Sequence, residues 1–374
     1  MNEAKMIIGS SETNSDILYA TQLMIPDSFL YFSTSTINAV VLSELEYDRG
    51  LKEVKEGVKV FSYDNFFIKG EKRSFIDLIK KIILEYKIDS IIVPQNFPYN
   101  IAYELERGGI NIKPSKDSVF FPERVVKSEY EVECIAHAES ITELGMTRAY
   151  EVLKASTVKS NGALLWEGEE LTSDRVRSEI NITLIKHGAL PSHTIVASGV
   201  DSSQPHNVGE GVIYASTPIV IDIFPRVMAT NYWGDMTRTF VKGEVPKQIR
   251  DAYNAVKKAR DEAKRAVKPG VKVSELHQLS IDILTQEGFN TGVNDDGSNY
   301  GFIHSLGHGV GLDIHEAPAV SNRIEGVELA VGNVITIEPG LYYPEWGGIR
   351  LEDLGVVTKD GFECFNKFPT VIEV

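Results

Sequence analysis

Residues 304–318 read HSLGHGVGLDIHEAP, and this stretch combines three histidines with three glycines. The histidines His304, His308 and His315 fall within twelve positions, and the glycines alternate around His308. Alternating glycines disfavour a helix and indicate an extended backbone that lies close to a neighbouring group. A single histidine in such a place is often an ordinary structural residue, whereas three histidines together favour a binding or catalytic site.

Two aspartates interrupt strand-like segments upstream of this stretch. Asp222 lies in IVIDIF at residues 219–224, and Asp235 lies in YWGDMTRTF at residues 232–240. Residues 225–231 between them read as a hairpin turn, so we expect the two carboxylates side by side on neighbouring strands. Two buried carboxylates would repel each other, and a bound divalent cation would remove that conflict. A pair of exposed aspartates at a sheet edge is the alternative.

Two glutamates follow the histidine stretch in similar surroundings. Glu338 ends the apolar run VITI and precedes a turn, and Glu352 lies in GIRLED at residues 348–353. Strand alternation places Arg350 and Glu352 on one face, where an ordinary salt bridge between them is an alternative interpretation. Carboxylates combined with an imidazole suit Mn²⁺ and also Co²⁺ or Zn²⁺. No cysteine lies in these segments, which argues against a structural zinc site.

The length of the chain and its pattern of elements predict two domains. A chain of 374 residues exceeds the usual size of one compact core. We place the boundary at residue 122, which gives domains 1–122 and 123–374. The first reads as alternating α/β, with strands at 29–41 and 89–94 and helices at 74–86 and 99–107. The second repeats a helix-helix-strand plan, with helices opening near Ser128, Ser173, Pro246 and Ser274, and predicts a pseudo-symmetric α+β domain.

Composition excludes several classes of partner. Acidic residues outnumber basic ones by 53 to 38, for a net charge of −15, which disfavours nucleic acid as a partner. No apolar run approaches the roughly 18 residues of a membrane span, so we expect no membrane partner. The first residues lack the apolar core of a secretory signal, and Cys134 and Cys364 cannot form a disulfide framework. We therefore expect the protein in the cytoplasm.

Four motifs, GDMTRTF, HSLGHGVGLDIHE, TIEPGLY and GIRLED, together resemble those of the pita-bread (M24) metallopeptidases. That family includes aminopeptidase P, prolidase and methionine aminopeptidase. The resemblance runs from about residue 128 to the end and implies a pita-bread catalytic domain over 123–374. Residues 1–122 are similar to the creatinase-like N-terminal domain of the proline-specific members, which has a ribonuclease-H-like fold and serves structure, oligomerisation and substrate access. Methionine aminopeptidases generally lack that domain. The family often forms dimers, so the resemblance implies a homodimer.

The resemblance also assigns roles to individual residues. It implies two divalent ions, Mn²⁺ in the first place and Co²⁺ or Zn²⁺ otherwise, held by Asp222, Asp235, His308, Glu338 and Glu352. Asp235 and Glu352 would bridge the ions. The substrate-side histidines would be His206, His304 and His315, the catalytic groups would be His206, His315 and Glu338, and Arg350 would orient Glu352. A water between two cations has a lowered pKa, so a metal-bridged hydroxide would attack the peptide carbonyl while Glu338 passes the proton to the leaving nitrogen.

Two departures from the family pattern bear on the substrate. The thirteen-residue step from Asp222 to Asp235 is longer than is usual, and a longer hairpin loop would absorb it. Ala319 stands where many prolidases carry an arginine that grips the carboxylate of a dipeptide. We therefore expect an Xaa-Pro aminopeptidase that acts on short peptides with proline in second position.

Three alternatives remain beside the aminopeptidase. One is an Xaa-Pro dipeptidase, or prolidase, because the short gap from Glu338 to Glu352 resembles that of compact prolidases. A metal-free creatinase-like hydrolase and a non-catalytic pita-bread binding module usually lose several of the metal ligands. All five ligands are present in this chain, which disfavours these last two alternatives.

Overall fold

The computed structural model describes residues 2–116 and 119–374, and the chain divides into two compact units, Met1–Arg124 and Val125–Val374. A short 3₁₀ turn, Pro122–Val125, spans the division and contains the residue at which the sequence places its domain boundary. In the described part of the chain, none of the helices is both long enough and apolar enough to cross a membrane.

The first unit is built on one six-stranded mixed sheet. Its strands are β1 (Glu3–Gly9), β2 (Phe29–Ser33), β3 (Asn38–Leu42), β4 (Val58–Ser62), β5 (Ser90–Val93) and β6 (Ile112–Pro114). The strand order is β4-β3-β2-β1-β5-β6. Strands β1 to β3 form an antiparallel meander, while β5 and β6 continue the sheet in parallel on the other side of β1. A meander extended by parallel strands is the arrangement expected of a ribonuclease-H-like domain.

Four helices cover the two faces of this sheet: α1 (Ser15–Thr21), α2 (Glu44–Glu53), α3 (Phe75–Tyr86) and α4 (Tyr99–Arg107). Alternate residues of a strand point to opposite faces. Met6 and Phe32 therefore pack with α3 and α4 on one side, and Ile7 and Tyr31 pack with α1 on the other. The helices and the short strand expected at 74–86, 99–107 and 89–94 are confirmed.

The strand expected over residues 29–41 is instead a hairpin of β2 and β3. The backbone N–H of Thr34 donates to the carbonyl of Ile37, which closes a turn between the two strands. The Thr34 hydroxyl accepts from the backbone N–H groups of Thr36 and Ile37. Short hydroxyl side chains stabilise turns through such local bonds. The break in the strand therefore comes from the polar run STST at residues 33–36.

The second unit contains two pairs of helices. They are α5 (Glu129–Ala155) with α6 (Ser173–Lys186), and α7 (Lys247–Ala266) with α8 (Val273–Gln286), and the members of each pair pack together. The predicted capping box is present at the start of α5, where Ser128 and Glu131 bond each other's backbone N–H. Pro246 is the N-cap of α7, and α8 begins one residue before Ser274.

The strands of the second unit are mostly short. They are β7 (Thr157–Val158), β8 (Leu164–Trp166), β9 (Glu169–Glu170), β10 (Ala189–Leu190), β11 (Ile195–Ser198), β12 (Ile219–Ile223), β13 (Arg226–Val227), β14 (Met236–Phe240), β15 (Gly292–Val293), β16 (Asn299–Tyr300), β17 (Gly307–Gly309), β18 (Glu316–Val320), β19 (Val334–Ile337), β20 (Gly340–Tyr343), β21 (Gly347–Arg350), β22 (Asp353–Val357) and β23 (Phe362–Cys364).

Each helix pair is followed by its own antiparallel sheet. The order is β11-β12-β14 after α5 and α6, and β18-β17-β19-β22-β23 after α7 and α8. The repeated helix-helix-sheet plan confirms the pseudo-symmetric α+β fold expected from the sequence. One apolar core joins α5 and α6 to β12 and β14, and a second joins α7 and α8 to β19 and β21. Fully burying one large aliphatic side chain contributes about 1.5–3 kcal/mol to the free energy of folding. These cores therefore stabilise the positions of both sheets against the helices.

Candidate metal centre

The two aspartates lie on one hairpin, as the sequence predicts. Strand β12 pairs with β14 so that Asp222 is opposite Thr237. Asp235 precedes Thr237 by two residues and therefore shares its face of the sheet. The turn between the strands closes where the backbone N–H of Asn231 donates to the carbonyl of Val227 at 2.7 Å. Both carboxylates are buried, Asp222 at 9% and Asp235 at 4% exposure, so the alternative of an exposed edge pair is wrong.

The glycines around His308 let its strand lie against neighbouring backbone. A Cβ atom at Gly307 would overlap the carbonyl oxygen of Thr336, and one at Gly309 would overlap that of Ala317. The extended backbone of β17 agrees with the sequence argument against a helix. Nδ1 of His308 lies 3.2 Å from the carbonyl oxygen of Gly309. A proton on Nδ1 leaves the lone pair of Nε2 free for a metal ion.

The free nitrogen of His308 faces two carboxylates. Nε2 lies 3.3 Å from Oε1 of Glu338 and 3.5 Å from Oδ2 of Asp235. Glu338 follows β19, and Glu352 lies in the short link between β21 and β22. Ligand atoms of Asp235, His308 and Glu352 all lie within 4.8 Å of one another. The structure therefore brings together acidic and imidazole groups from both halves of the second unit.

Burial gives these carboxyl groups unusual acid–base properties. Loss of hydration, followed by repulsion from Glu352, raises the pKa of both Asp235 and Glu338 well above the ordinary range. Burial and the nearby charge of Asp222 raise the pKa of Glu352 to about 8. Burial lowers the pKa of His308 to about 3, which keeps the ring neutral. Close buried carboxylates beside a neutral imidazole are the arrangement that a divalent cation stabilises.

Arg350 bonds Asp222 directly and is connected to Glu352 through a hydroxyl group. Nη2 of Arg350 donates to Oδ2 of Asp222 at 2.7 Å, and Nε donates to the hydroxyl of Thr237 at 3.1 Å. That hydroxyl donates in turn to Oε2 of Glu352 at 2.8 Å. The guanidinium thus bonds Asp222 of β12 directly, whereas Thr237 connects it to Glu352.

The surroundings of one carboxylate oxygen of Asp222 indicate whether these residues suit a bound cation. Among the residues that the structure describes, no group donates a hydrogen bond to Oδ1 of Asp222, although that atom is buried. Buried carboxylate oxygens normally have a partner, and leaving one without a donor is costly. A divalent ion at the cluster would satisfy it. The donor set of carboxylate oxygens with one imidazole nitrogen therefore fits divalent metal ions.

The three substrate-side histidines predicted from the sequence line one cavity with this cluster. His304 is fixed on both sides, because Nδ1 donates to the carbonyl of Ser305 at 2.7 Å and Nε2 lies 2.9 Å from the hydroxyl of Tyr342. The rings of His308 and His315 meet edge to face with centroids 4.3 Å apart. Burial lowers the pKa of His304 to about 3 and also lowers the pKa of His315.

The cavity has a volume of about 580 Å³. The side chains in its wall that carry the predicted roles are His206, Asp222, Asp235, His304, His308, His315, Glu338, Arg350 and Glu352. The rest of the wall is mostly apolar, with Ile195, Phe224 and Ala319 among its residues, and also includes His193 and Ser305. A polar cluster beside an apolar wall is typical of a site for a small organic ligand.

Sequence reasoning did not identify three residues that hold this site. Thr237 and Tyr342 contact Arg350, and Glu139 accepts the backbone N–H of Asp235 at 2.7 Å. Thr237 lies within the motif GDMTRTF, two positions after Asp235, so strand alternation could have placed it beside the ligands. Glu139 lies within the long helix α5, where nothing in the sequence pattern separates it from a surface glutamate.

Comparison with known proteins identifies the family. The model of metallopeptidase family M24 matches residues 133–359. An Xaa-Pro dipeptidase of Pyrococcus horikoshii is 33% identical over 308 residues, which cover 80% of each chain. The solved prolidase of Pyrococcus horikoshii superposes with a TM-score of 0.81 at 27% identity, covering 99% of this chain and 95% of that one. An X-Pro aminopeptidase of Thermotoga maritima superposes with a TM-score of 0.82 at 25% identity, covering 100% and 98%. The similarity to these structures confirms the pita-bread fold, and the chain belongs to metallopeptidase family M24.

Proposed function

We propose that this enzyme hydrolyses the peptide bond between an N-terminal residue and proline. The observation that carries the proposal is the buried cluster of Asp235, His308 and Glu352, whose ligand atoms lie within 4.8 Å of one another in a member of a metallopeptidase family. The relatives in the comparison carry the names Xaa-Pro dipeptidase and X-Pro aminopeptidase. A metal-free hydrolase and a non-catalytic binding module are disfavoured, because the complete ligand set is retained.

The metal ligands would be Asp222, Asp235, His308, Glu338 and Glu352, with Asp235 and Glu352 shared between two ions. Mn²⁺ is the first candidate because oxygen ligands outnumber nitrogen ligands, and Co²⁺ or Zn²⁺ also suit the set. When bound, the ions supply Lewis acidity and lower the pKa of a water molecule in the site. The protein contributes the fixed positions of the ligands and a partly apolar cavity wall for the substrate.

Side chains of the protein would carry out the proton transfer and stabilise the developing charge. Glu338 lies 3.3 Å from Nε2 of His308 and would take a proton from the attacking water. It would pass that proton to the proline nitrogen, which is tertiary in the substrate and needs a proton to leave. His206 and His315 line the same cavity and would stabilise the negative charge that develops on the carbonyl oxygen. His304, held by Tyr342, would shape the wall on the substrate side.

The cavity wall favours an aminopeptidase over a dipeptidase. Ala319 lines the cavity and offers no charge to a substrate carboxylate. Among the described residues of the wall, Arg350 carries the only guanidinium, and it already bonds Asp222, Tyr342 and Thr237. The carboxylate of an Xaa-Pro dipeptide would therefore lack an available guanidinium, whereas a longer peptide carries its carboxylate farther away.

An Xaa-Pro dipeptidase is the second candidate. Curated relatives of that name from two Pyrococcus species are 33% and 35% identical to this chain. The purified enzyme should be assayed with matched Xaa-Pro dipeptides and Xaa-Pro-Xaa tripeptides in the presence of Mn²⁺, Co²⁺ or Zn²⁺. We expect a higher kcat/KM for the tripeptide, and Ala319→Arg should shift the ratio toward the dipeptide. Preference of the unaltered enzyme for the dipeptide would assign it as a prolidase.

The two units of the chain would have different tasks. We propose that residues 123–374 catalyse the reaction and that residues 1–122 serve oligomerisation and substrate access in a cytoplasmic homodimer. The excess of acidic residues, 53 against 38, supports peptides rather than nucleic acids as partners. Light scattering coupled to size-exclusion chromatography measures the oligomer directly, and a monomer would contradict this part.

A further inference from the structure

Glu139 is a fully buried carboxylate that lies outside the ligand set. It lies on α5, and both of its oxygens accept hydrogen bonds from groups of distant segments. Oε2 accepts the backbone N–H of Asp235 at 2.7 Å, and Oε1 accepts the side-chain amide of Asn366. Burying a carboxylate is costly unless such bonds satisfy it. The bonds of Glu139 therefore fix the backbone of one proposed bridging ligand against α5.

Asn366 extends this connection to the other proposed bridging ligand. Its Oδ1 accepts the backbone N–H of Leu354 at 2.6 Å, while its Nδ2 donates to Glu139. Leu354 follows Glu352 by two residues, at the start of β22. A continuous series of three hydrogen bonds thus runs from the N–H of Asp235 through Glu139 and Asn366 to the N–H of Leu354.

Gly234 shows how closely the loop before Asp235 lies against α5. A Cβ atom at Gly234 would overlap the hydroxyl of Thr142 and the backbone of Ala138. Both residues belong to α5, and Ala138 is adjacent to Glu139. Only glycine allows this approach, which brings the N–H of Asp235 within reach of the Glu139 carboxylate.

We propose that Glu139 and Asn366 are positioning residues that set the separation between Asp235 and Glu352. This inference rests on the proposed function, because it takes these two carboxylates to hold the metal ions together. Neither positioning residue belongs to the cavity wall. They act through backbone N–H groups beside the ligands, and loss of such supporting contacts typically lowers metal affinity about 10–100-fold.

The hydrogen bond from Asn366 to Glu139 can be tested by exchanging its donor and its acceptor between the two positions. Glu139→Gln presents an amide N–H to the amide of Asn366, and Asn366→Asp presents a carboxylate to the carboxylate of Glu139. The double variant E139Q/N366D restores complementary partners at unchanged net charge. The new amide at position 139 can donate to the new carboxylate at position 366, and that carboxylate can still accept the backbone N–H of Leu354. Titration calorimetry of the metal-free proteins with Mn²⁺, together with the visible spectrum of the Co²⁺ forms, reports the ligand geometry without relying on activity.

We expect each single variant to lower Mn²⁺ affinity by about 10–100-fold and to alter the Co²⁺ spectrum, and the double variant to recover both. Glu151→Gln is the control, because Glu151 also lies on α5 but forms an exposed ion pair with Arg148 on the same helix. Asn366→Ala provides the same comparison if either exchange variant fails to fold.

Unchanged affinity and spectrum in the single variants would overturn the inference, as would an equal loss in Glu151→Gln. Failure of the double variant to recover would also overturn it. If the unaltered protein binds no Mn²⁺ or Co²⁺, the proposed function fails first, and that result is distinct from all of these.

Discussion

Nη2 of Arg350 lies 2.7 Å from Oδ2 of Asp222, while Oδ1 of the same carboxylate receives no hydrogen bond from any residue in the described ranges. The guanidinium also bonds the hydroxyl of Thr237, which in turn bonds Glu352. The buried guanidinium of Arg350 thus holds one oxygen of Asp222 and supports Glu352 indirectly, through Thr237. This arrangement leaves the second oxygen of Asp222 available to a metal ion.

Replacing Arg350 should weaken metal binding without removing a ligand. Arg350→Gln loses the paired charge that holds Asp222, and we expect Mn²⁺ affinity to fall by about 10–100-fold in calorimetric titration. Arg350→Lys should recover little, since an ammonium group cannot bond Asp222, Tyr342 and Thr237 in the same plane. Arg250→Gln is the control, because Arg250 forms an exposed ion pair with Glu373. Equal affinity in all of these variants would disprove the role of Arg350.

Gly307 should not tolerate a side chain. An added Cβ would overlap the carbonyl oxygen of Thr336 on the adjacent strand β19, and the backbone of β17 would have to move. We expect Gly307→Ala to lower the free energy of unfolding by about 3 kcal/mol and to displace His308. Gly9→Ala is the control, since its Cβ would meet Asn14 at 3.4 Å, an ordinary contact distance. Urea unfolding measures the free energy of unfolding of both variants. Equal stability of the two variants would contradict the close approach of Gly307 to Thr336.

The metal-free enzyme should lose stability as the pH rises from 7 to 8.5. The folded-state pKa of Glu352 is raised to about 8, above its value in the unfolded chain. Above the unfolded-state value, the unfolded chain has released this proton while the folded protein still holds it. Stability therefore falls as pH rises, by at most about 1.4 kcal/mol per pH unit for one group.

Below pH 6.5 a second effect has the opposite sign. Burial lowers the pKa of His277 to about 4. As the pH falls toward 4, His277 takes up a proton in the unfolded chain but stays neutral in the folded protein. The free energy of unfolding therefore decreases as the pH falls. The window from pH 7 to 8.5 avoids this effect. Urea unfolding across that window should show the decline in metal-free protein, a weaker decline in Glu352→Gln, and no decline with saturating Mn²⁺. A flat profile in metal-free protein would refute the raised pKa.

The sequence predicts those parts of the site that depend on local pattern. Strand alternation and a turn placed Asp222 and Asp235 together, and the register of β12 and β14 brings them to one face. The glycines around His308 predicted a close backbone approach, which the structure provides at β19. The helix starts followed from capping residues such as Ser128. Each of these features is decided within a few residues of the chain.

Features that depend on distant segments could not be predicted in this way. Arg350 lies two residues from Glu352, so the sequence suggested that pair, whereas in the folded second unit Arg350 bonds Asp222 directly, 128 positions away. Glu139 bonds Asp235, which lies 96 positions away in the sequence. It also bonds Asn366, which lies 227 positions away. A buried glutamate on a helix has the same local pattern as an exposed one, and only the packed structure distinguishes them.

Asp235 should be indispensable to the metal centre. Asp235→Asn keeps the shape of the side chain but removes its charge, and we expect loss of both ions and a fall in kcat/KM of at least about a thousandfold. The lost ligand charge leaves two cations without enough negative charge to balance them. Elemental analysis of the purified variant and a peptide assay measure the two effects. Full activity in Asp235→Asn would show that the bridging role is wrong.

The proposed reaction requires five side chains that hold a pair of divalent ions. Crystals grown with Mn²⁺ and measured at wavelengths on both sides of the manganese absorption edge locate the ions directly. Two anomalous peaks per chain should lie among Asp222, Asp235, His308, Glu338 and Glu352, with Asp235 and Glu352 contacting both. A cluster without manganese, with its carboxylates held only by hydrogen bonds and ion pairs to the protein, would contradict the account.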